Sequence, residues 1–291
     1  MRQGLTPVVK ALIIINVLIF VVLSAGGMSV ASYAEHTMLW PPDSGRFEWY
    51  QLLTHAFRHD QSSIMHLAFN MLGLYFLGPT VERRLGSNNF MILYFLAIAG
   101  AVIAHLGSPA LSSWQLQQAY EAFVADPSLA NFDAFFNRVD LETLVRSTFD
   151  DNGRVVSREA ATVIVGDLQT GLALGDNPTQ MVNTATQLMR EVIESENTAP
   201  MLGASGAVSG VVAGFAVLYP NQKLYPMFLP FGLAAKYFVP IVFGIDLALG
   251  VFDIINTNIA HFAHVGGAIT GALIAYYFSK TTTPPWLRRI N

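Results

Sequence analysis

The sequence predicts an all-α membrane protein, a bundle of six transmembrane helices with a helical insert on the extracytoplasmic side. Two observations predict this fold class. First, 53% of the 291 residues are hydrophobic and only 12% are charged, whereas a soluble domain carries about 25% charged residues. Second, six apolar runs of roughly membrane-spanning length are separated by polar turns and by one long acidic segment.

Three of the predicted spans precede the acidic segment and three follow it. They cover residues 11–26, 64–78, 90–105, 201–220, 237–251 and 259–278. The basic start and the small residues at 29–34 would also fit a cleaved signal peptide. Because the first run is long for a signal core and other spans follow it, we interpret it as a retained first helix.

The acidic segment divides the chain into three parts. Residues 108–200 carry thirteen acidic and five basic residues, whereas the rest of the chain carries seven acidic and eleven basic residues. The segment is too polar to cross a bilayer, and its apolar residues recur at helical spacing, as in the stripe along 181–193. We therefore predict spans one to three with an interfacial first loop in 1–107, a helical insert of two to four helices in 108–200, and spans four to six with a tail in 201–291.

The basic residues predict the orientation in the membrane. They lie at the amino terminus, in the turns after spans two and four, and in the tail, which are Arg2, Lys10, Arg83, Arg84, Lys223, Lys280, Arg288 and Arg289. Cytoplasmic loops are enriched in Lys and Arg. Both termini are therefore predicted to be cytoplasmic and the insert extracytoplasmic, in the cell (inner) membrane. The amino ends of spans two, four and six then share the extracytoplasmic side.

The composition excludes several classes of function. With no cysteine there is no disulfide, thiolate metal site or cysteine nucleophile, and nothing indicates nucleic-acid binding. Seven histidines leave a haem or metal protein open, with His261 and His264 joined by His66 as ligands. We disfavour it, and expect no cofactor, because no His-Glu-x-x-His motif and no carboxylate lie near these histidines in a span. Residues 148–159 have EF-hand-like offsets, but Thr148 stands at the first ligand position, which favours a polar turn.

Ser205 and His264 are the sharpest candidate pair. A serine hydroxyl is a weak nucleophile until a base removes its proton, and histidine is the usual base. Polar groups inside a membrane are costly and tend to be functional. The alternative is a helix interface of small residues, formed by Gly206, Gly210 and Gly214 on the fourth span and Gly267 and Gly271 on the sixth. The two interpretations are compatible, since packed glycine faces would hold the serine against the histidine.

His66 and Asn70 lie one helical turn apart near the start of the second span. Hydrolysis of an amide develops an oxyanion, which needs donors already in place. The backbone N–H of Ser205, at a helix start, would be a further donor. The alternative is hydrogen bonding that only holds the bundle together, which is the preferred interpretation for an isolated pair.

Three motifs, each opening an even-numbered span, resemble those of the rhomboid intramembrane serine proteases. They are His66-x-x-x-Asn70, Gly203-x-Ser205-Gly206 and His264-x-x-Gly267-x-x-x-Gly271. Glu82-Arg83 followed by Gly86, and the first loop from Trp49 to His59, resemble that family as well. The resemblance covers nearly the whole chain except residues 108–200.

The resemblance implies that Ser205 is the nucleophile and His264 the general base, with no third carboxylate. It also implies an oxyanion hole formed by His66, Asn70 and the Ser205 amide, with Gly203 letting the backbone bend close to the reacting carbonyl. The substrates would be single-span membrane proteins cut in or near the span. The alternative within the family is a catalytically silent binder of membrane helices, which the presence of both catalytic residues disfavours.

The sequence departs from the family pattern in three places. Ser209 stands one turn after the nucleophile, where an aromatic residue often packs under the histidine ring, and Tyr50 follows Trp49 where arginine is frequent. The insert is also larger than in minimal members. Asp246, in the fifth span, could be proposed as a third, triad carboxylate, but the dyad chemistry does not require one. We expect it to have a structural, hydrogen-bonded or lipid-interface role. His261 is expected at the rim of the site, and His36, His55 and His59 in the loop and interface.

Overall fold

The computed structural model describes nine segments of the chain. They are residues 4–26, 36–42, 44–107, 109–139, 158–175, 178–196, 200–225, 231–252 and 260–282. The EF-hand-like segment 148–157, the loop at 253–258 and the basic tail from 283 lie outside the described residues, as do the small residues at 29–34. Within the described segments the chain is almost entirely helical, as the fold class predicts.

The first half of the membrane body consists of α1 (Pro7–Ala25), the short α2 (Gln51–Thr54) continued by a 3-10 turn (His55–Phe57), α3 (Ile64–Leu85) and α4 (Ser87–Gly107). The insert contains α5 (Pro109–Ala125), α6 (Leu129–Phe136), α7 (Arg158–Leu174) and α8 (Pro178–Glu196). The second half contains α9 (Ser205–Leu218), an antiparallel pair of two-residue strands, β1 (Lys223–Leu224) and β2 (Leu233–Ala234), then α10 (Ala235–Phe252) and α11 (His261–Thr281).

Three helices of the described chain, α1, α3 and α4, are long and apolar enough to cross a membrane. Their outward faces, and those of α10 and α11, expose large apolar side chains such as Phe76, Ile103, Ile241 and Leu273. A surface of this kind suits contact with lipid, where exposed apolar groups carry no penalty. The protein is therefore a helical membrane protein, and the count of six spans stays a prediction.

Helix α9 lies at the centre of the bundle, packed against α3, α4, α10 and α11. It is only 14 residues long, and ten of them are buried. Its small residues allow the neighbouring backbones to come very close. A Cβ atom added at Gly267 would lie far inside van der Waals contact of the Gly206 carbonyl, and one at Gly271 would overlap the backbone of Gly210. Helices α9 and α11 thus meet backbone to backbone, a contact that only glycine permits.

The charged turn expected after the second span is the last helical turn of α3, which is capped by Gly86 with φ +83°. Glu82 is buried there. Its Oε1 accepts the N–H of Val8 at 3.2 Å and its Oε2 accepts that of Val9 at 3.0 Å, while the Ser87 hydroxyl donates to Oε1 at 2.7 Å. These are orphan N–H groups of the first turn of α1, where a negative charge also meets the positive end of the helix dipole. The carboxylate therefore ties α3 to α1.

Replacing Glu82 by glutamine should destabilise the fold by about 2 kcal/mol, since hydrogen bonds to a charged group are worth roughly 1.5–3 kcal/mol. The amide would also turn an NH2 group toward a backbone N–H donor. Thermal unfolding of the purified protein in detergent measures the loss as a lower melting temperature. Glu48→Gln, at an exposed carboxylate of the first loop, is the matched control and should melt like the wild type. Equal melting of the two variants would contradict the tie between α3 and α1.

The four described insert helices have a hydrophobic core of their own. It is formed by Leu116, Phe123, Phe132, Phe135, Ala161, Leu168, Ala185, Leu188, Met189 and Val192. The last four are the buried face of α8, so the predicted amphipathic stripe is confirmed. Because these side chains pack among themselves, the polar faces of the helices remain outside, as the composition of the insert requires. The side of the membrane on which the insert lies stays a prediction.

Candidate active site

The segment before α9 is held in an extended conformation by the first loop. Met201 and Leu39 exchange backbone hydrogen bonds of 2.9 and 2.8 Å, and the Gly203 N–H donates to the His55 carbonyl at 2.9 Å. Gly203 has φ +121°, a conformation that residues with a Cβ rarely adopt. The chain then turns into α9, which begins at Ser205. The proposed nucleophile therefore lies at a helix start whose position is set by the loop.

Gly203 lies between His66 and Ser205. A Cβ atom added there would be 2.7 Å from His66 Nε2 and 3.6 Å from Ser205 Oγ. The other ring nitrogen of His66, Nδ1, faces the backbone N–H of Asp60 at 3.4 Å. Because Nδ1 is placed to accept, we assign the ring proton to Nε2. The arrangement leaves an N–H donor on the side of the ring that faces Ser205.

Asn70 is buried one turn after His66 on the same face of α3, as its spacing predicts. Its side-chain Nδ2 donates to the His66 carbonyl at 2.9 Å. Within the described segments no hydrogen bond joins Asn70 to Ser205. The amide is restrained by its own helix, and the second N–H of Nδ2 is available as a donor.

His264 lies in the first turn of α11, close to the start of α9. The carbonyl of Ala263 would be 3.5 Å from a Cβ added at Gly206, the residue that follows Ser205. His264 is also near enough to His66 for the two rings to interact electrostatically. In the described part of the chain Ser205 and His264 are not hydrogen bonded to one another. Such catalytic bonds are often long without substrate and tighten in the complex.

The structure corrects two expectations about α10 and α11. Asp246 is not remote from the histidines: its Oδ2 lies 2.9 Å from His264 Nδ1 and its Oδ1 lies 2.5 Å from His261 Nδ1. The statement that no carboxylate lies near them was therefore wrong. His261 is not a rim residue either, since only 7% of it is exposed. The reason is the packing of α10 against α11, which brings the middle of one helix level with the first turn of the other.

This contact also shows how His264 is held without an aromatic residue beneath it. Ser209 is buried on α9 and offers no ring. The Asp246 carboxylate, reaching across from α10, fixes the imidazole through Nδ1 instead. Trp49, in the first loop, lies with 76% of its surface exposed.

A small pocket opens beside Ser205. Its walls include Met201, Leu202, Ala263 and His55. Apart from His55 and Ser205, the residues that line it are apolar. In the described ranges no group of three His, Asp or Glu side chains is arranged so that it could hold a metal ion. His261 and His264 instead both direct Nδ1 at Asp246.

His55 and His59 belong to the first loop as predicted, but they are buried within it rather than exposed at an interface. Burial lowers the pKa of His55 to about 4, although its Nδ1 lies 2.7 Å from the Gln51 carbonyl. Burial, together with the neighbouring His66 ring, lowers the pKa of His59 to about 4. Both rings are therefore neutral in the folded loop at neutral pH.

The two loop histidines should make the fold less stable as the pH falls from about 6.5 to about 4. An unfolded chain binds protons at these rings with a pKa near 6.5, whereas the folded loop does not. The unfolded state then binds more protons, and stability falls by about 3 kcal/mol for each ring at the acid end. Above the unfolded pKa the effect vanishes.

Melting temperatures recorded in detergent between pH 7.5 and 5 measure this dependence. His59→Phe removes one of the two buried loop histidines and should weaken the dependence of the melting temperature on pH. The contribution of His55 should remain. A melting temperature that does not fall over this range in the wild type would show that the loop histidines are not held neutral.

The chain that carries Ser205, His66 and His264 also matches the model of a known protein family. Residues 46–120 and 179–281 match the family model of the rhomboid domain. The match leaves out 121–178, which form most of the predicted insert. The matched segments contain the first loop from residue 46 onward and all the candidate residues of the site, and they make up more than half of the chain. The protein belongs to the rhomboid family.

Proposed function

We propose that this protein is an intramembrane serine endopeptidase that cleaves transmembrane segments of single-span membrane proteins. The rhomboid family includes serine proteases of this kind as well as members without activity. The observation that supports activity is the position of Gly203, whose φ of +121° lets Ser205 Oγ and His66 Nε2 approach the same point. A nucleophile and a donor are needed together at that point for acyl transfer.

In the proposed reaction Ser205 Oγ attacks the scissile carbonyl while His264 Nε2 accepts the hydroxyl proton. The negative charge that develops on the carbonyl oxygen is stabilised by the Ser205 N–H at the start of α9, where helix N–H groups have no internal partner. His66 Nε2–H and the free Asn70 N–H would complete the oxyanion hole. His264 then gives its proton to the leaving amine, and water, activated by the same ring, hydrolyses the acyl-enzyme.

The proposed setting is a six-span bundle in the cell membrane with both termini in the cytoplasm and the insert outside. The first turns of α3, α9 and α11 then share the extracytoplasmic side, from which water reaches Ser205. The glycine contact between α9 and α11 supports placing their first turns on the same side of the membrane, because it holds the starts of the two helices together.

The test is reaction of the purified full-length protein with a fluorophosphonate and with a single-span reporter in liposomes. Activity predicts a covalent adduct that mass spectrometry maps to Ser205, and cleavage within or next to the reporter span. A protein that binds the reporter without cutting it, and that gives no adduct, would be a silent binder of membrane helices. An adduct at another residue would contradict the proposed nucleophile.

A further inference from the structure

A carboxylate in the middle of α10 is bonded to two histidines of α11, one on each oxygen. The Asp246 side chain is 16% exposed, that of His264 20% and that of His261 8%. An acidic side chain in an apolar helix is costly unless it is paired or has a function. Here both carboxylate oxygens have a ring N–H donor, so the charge is satisfied where lipid or protein would otherwise surround it.

The bond to Asp246 decides which nitrogen of His264 can act as a base. A carboxylate only accepts hydrogen bonds, so the proton of the neutral ring lies on Nδ1. Nε2 then carries the lone pair, at the opposite edge of the ring. Within the described residues Asp246 is the only group to which the His264 ring is hydrogen bonded. No other polar contact there fixes the tautomer or the orientation of the ring.

His261 has a different place in the same cluster. Its Nδ1 is hydrogen bonded to the other carboxylate oxygen, Oδ1, at 2.5 Å. The carboxylate is thereby prevented from turning away from His264, because each oxygen is held by a separate ring one helical turn apart on α11. The two contacts together align α10 with the turn of α11 that carries the proposed base.

We propose that Asp246 is a positioning residue for the reaction: its carboxylate holds His264 with Nε2 toward Ser205 and stabilises the imidazolium that forms when the serine proton is taken up. The arrangement is a serine–histidine–aspartate set spread over α9, α11 and α10. It rests on the proposed protease function. Stabilisation of the protonated ring by a buried carboxylate, without proton transfer to that carboxylate, is how such a third group acts.

The test compares Asp246→Asn with wild type in liposomes, using the same single-span reporter and the same fluorophosphonate. Asparagine keeps the shape but can present its NH2 group to Nδ1, which favours the wrong tautomer. We expect kcat per folded molecule to fall by about 10²- to 10⁴-fold. KM should change by less than about threefold, because the substitution does not alter the binding of the substrate in its ground state. The rate of fluorophosphonate labelling should fall in parallel, because it requires the same base and no reporter.

Two conservative variants separate positioning from packing. Asp246→Glu keeps the charge but moves it by one methylene, and should fold normally with kcat about tenfold below wild type, well above the asparagine variant. His261→Asn keeps a side-chain N–H donor near the position of Nδ1 and should retain kcat within about threefold, whereas His261→Leu should lose more because the carboxylate is released.

Glu82→Gln is the matched control. It removes a buried carboxylate that ties two helices away from the site, so it should lower the melting temperature and leave kcat per folded molecule unchanged.

The outcomes distinguish this inference from the proposed function. If the wild type cleaves and is labelled, but Asp246→Asn only melts earlier and keeps its kcat per folded molecule, Asp246 is a structural tie and the inference is overturned. If Asp246→Asn yields no folded protein, Asp246→Glu decides: a wild-type kcat at a wild-type melting temperature overturns the inference. If the wild type neither cleaves the reporter nor is labelled at Ser205, the proposed function fails, and the inference fails with it.

Discussion

Alanine at position 205 should abolish both proteolysis and labelling by fluorophosphonates, with kcat falling by about 10⁴-fold or more, to the uncatalysed background. The serine Oγ is the only atom of the site proposed to form a bond to the substrate. On α9 the next hydroxyl cannot replace it, because Ser209 lies one turn further along the helix and is buried. His264→Ala should cause a loss of similar size, since a serine without its base is a poor nucleophile.

Ser209→Ala is the control for this experiment. It removes a buried hydroxyl from the same helix without touching the proposed chemistry, so its kcat should stay within about threefold of wild type. The measurement is the rate of reporter cleavage in liposomes, together with the yield of covalent adduct. Adduct formation that persists in Ser205→Ala would refute the assignment of the nucleophile. If the double variant Ser205→Ala, His264→Ala is no slower than either single variant, the two residues act in the same step.

The positions of the helices that carry the site could be predicted because each depends on local sequence. Apolar runs and the glycines at four-residue spacing place the starts of α9 and α11 within a few residues of Ser205 and His264. The glycine spacing also predicts a contact that the backbones of Gly206 and Gly267 make. Small residues on one face leave few other ways for two helices to pack in a membrane.

The partners of the site residues could not be predicted in the same way, because they depend on how one helix is rotated against another. Asp246 is fifteen and eighteen residues from its two histidines. Nothing in the apolar run around it says which face of α10 turns toward α11. A signal was nevertheless present: an acidic residue in a span is rare enough to demand a partner, and the start of the next span carries two histidines, His261 and His264.

Glu82 and the first loop show two further limits. The Glu82-Arg83 sequence looks like a turn because charge usually marks a helix end. It is instead the last turn of α3, in which the carboxylate accepts hydrogen bonds from N–H groups of α1, more than seventy residues away. The first loop is rich in aromatic residues without a helical or strand period. Whether His55 and His59 are buried or exposed there follows from how the loop folds over the start of α9, through Gly203 and Met201.

Alanine at position 267 should separate α9 from α11 and so displace Ser205 from His264. A Cβ at Gly267 would lie 2.7 Å from the carbonyl carbon of Gly206 and closer still to its oxygen. These are backbone atoms that cannot swing aside, so the helices must move apart by roughly an ångström. Overpacking of this kind costs about 1–3 kcal/mol, and a misplacement of about 1 Å can lower turnover by about 10²-fold.

Gly244→Ala is the matched control, because Gly244 lies in α10 with nothing within 4 Å of an added Cβ. There the alanine should be neutral or stabilise the helix by about 0.5–1 kcal/mol. Melting temperature and labelling rate per folded molecule measure the two effects separately. Gly271→Ala should cost similar stability by overlapping the backbone of Gly210, but with a smaller loss of turnover, since that contact is one turn further from Ser205. Equal turnover losses in the two variants would mean that general loosening of the bundle, rather than displacement of Ser205 from His264, limits the reaction.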